Sequence, residues 1–173
     1  NDRFSPVRVT GRYLARRQWL LDNRVRQGQV GYHVYALFEF AGPAGPASVM
    51  VNRGWVPIGG SRDLLPVVPV PEKELTLTGR LDTPASVGLR LDVGDWDGLA
   101  PLKVVQHIDI QALGQAMARE VPGLALMLDQ DGPGGLQYDW DYVETMSPEK
   151  HRGYAVQWFG LAFALVIIYI GTN

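Results

Sequence analysis

The residues with the most chemistry to offer stand together near the end of the chain, in His151-Arg152-Gly153-Tyr154-Ala155-Val156-Gln157-Trp158-Phe159. In a helix that begins near Pro148, Tyr154, Ala155 and Trp158 follow His151 at three, four and seven residues. Those offsets share one helical face. An imidazole, a phenol and an indole then line one stripe, with Lys150 and Arg152 flanking the imidazole. An imidazole so placed can ligate the iron of a haem, a flat apolar group with carboxylates at one edge. A guanidinium or ammonium can pair with those carboxylates. The competing reading is an ordinary solvated histidine at the entrance to an apolar helix, and the residues alone leave both open.

The element that must position this stripe is the apolar run behind it. No charged residue occurs from Gly153 to Asn173. A run of roughly 18 or more apolar residues without charge is a transmembrane helix candidate. A helix satisfies its own backbone in lipid, so it can cross as a single span. Tyr154 and Trp158 suit the membrane interface, where amphipathic rings settle. Ser147 is placed to cap the helix, with Pro148 at its first position. A buried core helix would instead be expected to carry a polar face. Residues 148–173 are therefore expected to be a C-terminal transmembrane helix, and residues 1–147 a water-facing domain.

Composition narrows the function classes. The 173 residues suit one domain plus a tail, and about 150 residues are enough for a hydrophobic core. The net charge is -2 and no basic run interleaves with aromatics, so nucleic acid is not an expected partner. There is no cysteine, which removes disulfides, zinc–thiolate sites and cysteine nucleophiles together. Asn1-Asp2-Arg3-Phe4 reads as the middle of a protein, so an upstream segment holding another membrane helix would fit.

The domain before the helix reads as strands. Val7 to Leu14 alternates with the period of a half-buried strand. Trp19 to Asp22 follows, and Asp22-Asn23 is a turn signal. Gly28 and Gly31 bracket a further turn. Tyr32 to Phe40 and Ser48 to Pro57 suggest an antiparallel hairpin, with Gly54 a bulge or close backbone approach. Ile58 to Glu72 should be an extended, proline-rich connection. Glu74 to Asp82 alternates cleanly, and Val104 to Ile110 and Leu124 to Asp129 are further strands. Gln111 to Glu120 is the soluble helix, with Leu113 and Met117 on one face. Ala85 to Pro101 reads as a long loop. Roughly seven short strands with Gly/Pro turns give a mainly β (α+β) fold, a small antiparallel barrel-like or sandwich domain with one short helix.

Other constellations carry less. His33, His107 and His151 are far apart and propose no local metal site. Asp92, Asp95 and Asp97 lack the closing Glu of a calcium loop. No phosphate loop or nucleophile elbow occurs, and no enzyme is expected. His33 shares a strand face with Tyr35 and reads as a packed strand residue. Arg53 and Trp55 share a strand face across Gly54, where a cation–π contact would be structural.

Four blocks carry a resemblance. They are Gly11-Arg12-Tyr13 with Leu20-Leu21-Asp22-Asn23-Arg24, Gly28 and Gly31-Tyr32-His33-Val34; Val51-Asn52-Arg53-Gly54-Trp55-Val56-Pro57; Thr78-Gly79 with Leu81 and Pro84; and His151 to Phe159. Together and in this order they resemble the Surfeit-locus family of cytochrome c oxidase assembly factors, with Ala85 to Tyr142 matched only weakly. The resemblance implies two membrane helices, the first upstream of this sequence, and an extracytoplasmic domain between them. It implies the bacterial inner membrane with the domain in the periplasm, or the mitochondrial inner membrane facing the intermembrane space. It implies transient binding of haem a and its insertion into the catalytic subunit of the oxidase. The haem a synthesis machinery and membrane lipid are the other implied partners. The family's proposed haem-binding histidine falls on His151, which makes His151 the metal ligand; Arg152, Tyr154 and Trp158 complete the expected cofactor site. The alternative is a non-haem scaffold that stabilises nascent oxidase subunits through its β-rich domain. There an exposed Arg53/Trp55 region and the segment from Pro66 to Pro71 would matter most.

Overall fold

The computed structural model describes residues 3–43, 45–62, 64–84, 102–117, 121–138 and 148–172. The chain divides into two compact units, Asn1–Asp139 and Trp140–Asn173. The first unit is β-rich and the second contains one long helix. Their elements in order are β1 (Pro6–Arg26), β2 (Gln29–Gly42), β3 (Gly45–Pro57), β4 (Leu75–Asp82), β5 (Leu102–Val105), α1 (Ile110–Ala116), β6 (Ala125–Leu128) and α2 (Pro148–Thr172).

The expected barrel is present and closed. Hydrogen-bonded neighbours run β2–β3–β6–β4–β1, and β1 pairs back onto β2, so five strands have no free edge among them. β5 continues the sheet beside β1. The antiparallel expectation covers most seams, but β3–β6 and β1–β5 are parallel. β1 serves three partners. Its first part pairs with β4 from Pro6↔Arg80 to Gly11↔Leu75, and its later part pairs with β5 from Gln18↔Leu102 to Leu21↔Val105. β2 runs alongside both parts.

Alternation along these registers fills the barrel. Tyr13, Leu20, Val34, Phe38, Val51 and Leu77 project to one side, the interior, and are buried. Leu126 and Leu128 of β6 join them. Each aliphatic side chain so buried contributes roughly 1.5–3 kcal/mol. The opposite face of β1–β3 presents Trp19, Leu21, Tyr35, Leu37 and Met50, which pack with Ile108, Ile110 and Leu113 around α1. The short helix α1 thus roofs an apolar outer face that would otherwise be exposed. Gly79 stands where β4 lies close against β6, and a Cβ there would collide with the Met127 carbonyl oxygen.

Several local expectations are corrected. Asp22-Asn23 does not end a strand; β1 runs through it with a register shift. Asn23 takes φ 58°, a left-handed conformation that Asn tolerates. Its N–H donates to Asp22 Oδ1 at 2.7 Å. The reversal comes later, at Gln27 and Gly28, with φ 49° and 79° between the paired Arg26 and Gln29. Two central residues of positive φ suit a hairpin loop whose twist matches its strands. The strand expected over Val104 to Ile110 stops at Val105. Asp109 caps α1 instead, its Oδ1 accepting from the Ala112 N–H at 3.0 Å. α1 is shorter than expected, with Met117 at its C-cap and Leu113 buried. The Asp92, Asp95 and Asp97 loop and the Ser147 cap lie outside the described residues.

Candidate functional site

α2 opens at Pro148 and runs 25 residues to Thr172. At 1.5 Å per residue it is about 37 Å long. Its stretch Arg152–Thr172 is long and apolar enough to cross a membrane. At the far end the Thr172 hydroxyl donates to the Ile168 carbonyl at 2.9 Å, so even this polar side chain is satisfied within the helix.

The sequence-derived site residues fall in the first turns. The backbone of His151 is helical, and the helical period puts residues 151, 154 and 158 on one face. Arg152 lies about 100° round the axis, at the border of that face. Arg152, Tyr154 and Trp158 are exposed. Arg152 is the last charge before the apolar run. The arrangement therefore offers a cation and two aromatic rings beside an open apolar helix face. That is the chemistry that a planar apolar anion needs.

A second constellation lies in the barrel, where the sequence reading expected exposure. Arg53 is 3% exposed and Trp55 1%, so neither offers a surface. Nor do they share a face. Gly54, at φ 125°, sits at a register shift in β3. An extra residue there reverses the alternation. Trp55 then stands opposite His33, while Arg53 turns inward to Gln18. The cation over the indole is Arg26, 6.0 Å from the Trp55 ring, while Arg53 stacks 5.3 Å from the Tyr13 ring.

Arg53 acts as an internal strut. Its Nε donates to the Gly134 carbonyl at 2.7 Å, Nη1 to Gln18 Oε1 at 2.9 Å, and Nη2 to the Pro69 carbonyl at 2.8 Å. Those acceptors belong to the 129–138 segment, β1 and the proline-rich connection. One planar fork therefore ties three pieces of chain together. All three acceptors are neutral, so burial lowers the Arg53 pKa, with the Tyr13 ring opposing. Burial also pushes the Tyr13 phenol up to about 12, against the pull of Arg53. The Tyr13 hydroxyl has no hydrogen-bond partner among the described residues. The neighbouring backbone is tied as well: the Leu136 N–H donates to Arg53 O at 2.7 Å, and the Trp55 N–H to Gln137 O at 2.7 Å. A Cβ at Gly54 would come within 2.6 Å of Gln137 O, so glycine lets this segment lie against β3. Sequence reasoning missed Tyr13 and Gln18 as parts of this cluster. The signal was an arginine beside a glycine within a strand of buried residues.

The remaining histidines do not converge. His33 is buried between Leu21 and Trp55 in register, as a packed strand residue. His107 lies just past β5, two residues before the α1 cap. Among the described residues, no three His, Cys, Asp or Glu side chains are grouped to hold a metal. The Pro66 to Pro71 segment is split: Val68 packs inside the barrel end with Leu20, Tyr32 and Val34, while Val67 is 94% exposed.

Comparison with known proteins places these features in one lineage. Residues 1–163 match the SURF1 family, a span that includes β1 to β6 and the head of α2. Uncharacterized SURF1-like proteins of Mycobacterium bovis and Mycobacterium tuberculosis are 32% identical over 158 residues, covering 90% of this chain. The chain spans about half the length of these relatives, 55% of each.

Proposed function

This chain belongs to the SURF1 family, and from that premise we propose that it is a membrane-anchored assembly factor for cytochrome c oxidase that carries haem a and assists its insertion into the catalytic subunit. The observation that carries the reading is the placement of His151, Tyr154 and Trp158 at the head of a helix that carries no charge after Arg152. Haem is cargo here. His151 would supply an imidazole nitrogen to the iron. Arg152 would pair with a propionate. Tyr154 and Trp158 would cover the apolar macrocycle where it meets the bilayer interface. One protein ligand holds the iron less tightly than two, which suits a carrier that must give its cargo up. No step in this role needs a nucleophile or an acid–base pair, so the role is not that of an enzyme.

The implied setting is a bacterial inner membrane with the barrel in the periplasm and α2 in lipid. The partners are then the oxidase catalytic subunit and the machinery that makes haem a. If the barrel instead holds oxidase subunits without haem, its contact surface is not Arg53 and Trp55, since both are buried.

The test is an absorption spectrum of the chain, with its natural flanking segments, purified from cells that make haem a. Haem should accompany the parent protein and be lost from a His151→Ala variant. A variant that keeps haem with an unchanged spectrum sinks the ligand assignment. Absence of haem from both, with oxidase subunits copurifying, moves the function to scaffolding.

A further inference from the structure

We draw no further inference here: the strongest candidate, the buried cluster of Tyr13, Gln18 and Arg53 inside the barrel, belongs to the strut already described, and its one unpartnered group, the Tyr13 hydroxyl, has no accessible surface against which a ligand could sit.

Discussion

Replacing Arg53 with methionine keeps most of the side-chain volume and removes the fork that ties three segments together. The cost can be worked from its contacts. Gln18 Oε1, Gly134 O and Pro69 O each lose a charged donor. Such hydrogen bonds contribute roughly 1.5–3 kcal/mol each, and a stranded buried acceptor costs about 1–3 kcal/mol. Two of the three contacts are only part-buried, so water regains those carbonyls in part. Freeing the guanidinium from its desolvation offsets several kcal/mol more. The net loss should be about 2–4 kcal/mol, a large share of a domain's ~5–15 kcal/mol. Urea unfolding of the full chain in micelles, followed by the emission of the buried Trp19 and Trp55, measures it. The midpoint should fall by roughly 1–2 M at an ordinary denaturant slope. Arg53→Lys should recover less than half, because a point charge cannot serve three divergent acceptors. A midpoint unchanged for Arg53→Met would refute the strut, and full recovery by lysine would show that charge alone matters.

Gly79→Val should cost about 3 kcal/mol or more, since overpacking at a backbone contact cannot be relieved by a rotamer change. A melting temperature within a few degrees of the parent's would show that the β4–β6 seam can spread. Tyr13 makes stability depend on alkaline pH. An unfolded tyrosine titrates near 10, while burial holds the folded phenol at about 12. Between these values the folded state keeps a proton that the unfolded state has lost. The stabilisation is thus complete below about pH 10 and declines toward pH 12, by on the order of 2 kcal/mol. Tyr13→Phe should flatten this decline in urea midpoints taken from pH 8 to 11, with little change at pH 8. An equally steep decline in the variant would remove Tyr13 from the explanation.

Periodicity made the individual strands legible. β2, β3 and β4 appear in the alternation of Tyr32 to Phe40, Ser48 to Pro57 and Glu74 to Asp82, and Gly54 is the bulge its position suggested. The charge-free run after Arg152 likewise announced α2. What periodicity could not reveal was pairing over distance. β6 lies between β3 and β4, and this closes the barrel, yet nothing local in Ala125 to Leu128 names its neighbours. Asn23 looked like a turn because Asn in a left-handed conformation serves bulges as well as turns. Arg53 looked exposed because arginine usually is. Its burial depends on three acceptors from separate segments, none of them near it in sequence.

The position of β6 also orders events in time. It is four residues long and is the last strand among the described residues, yet it fills the gap between β3 and β4. A chain emerging from its N-terminus must therefore wait, with the edges of β3 and β4 both open, until Leu128 has arrived. Open edges invite pairing with other chains, and closure between distant strands is slow. Only the short stretch up to Pro148 then separates completion of the barrel from the start of α2. The domain becomes self-contained only as the long apolar helix behind it is being made.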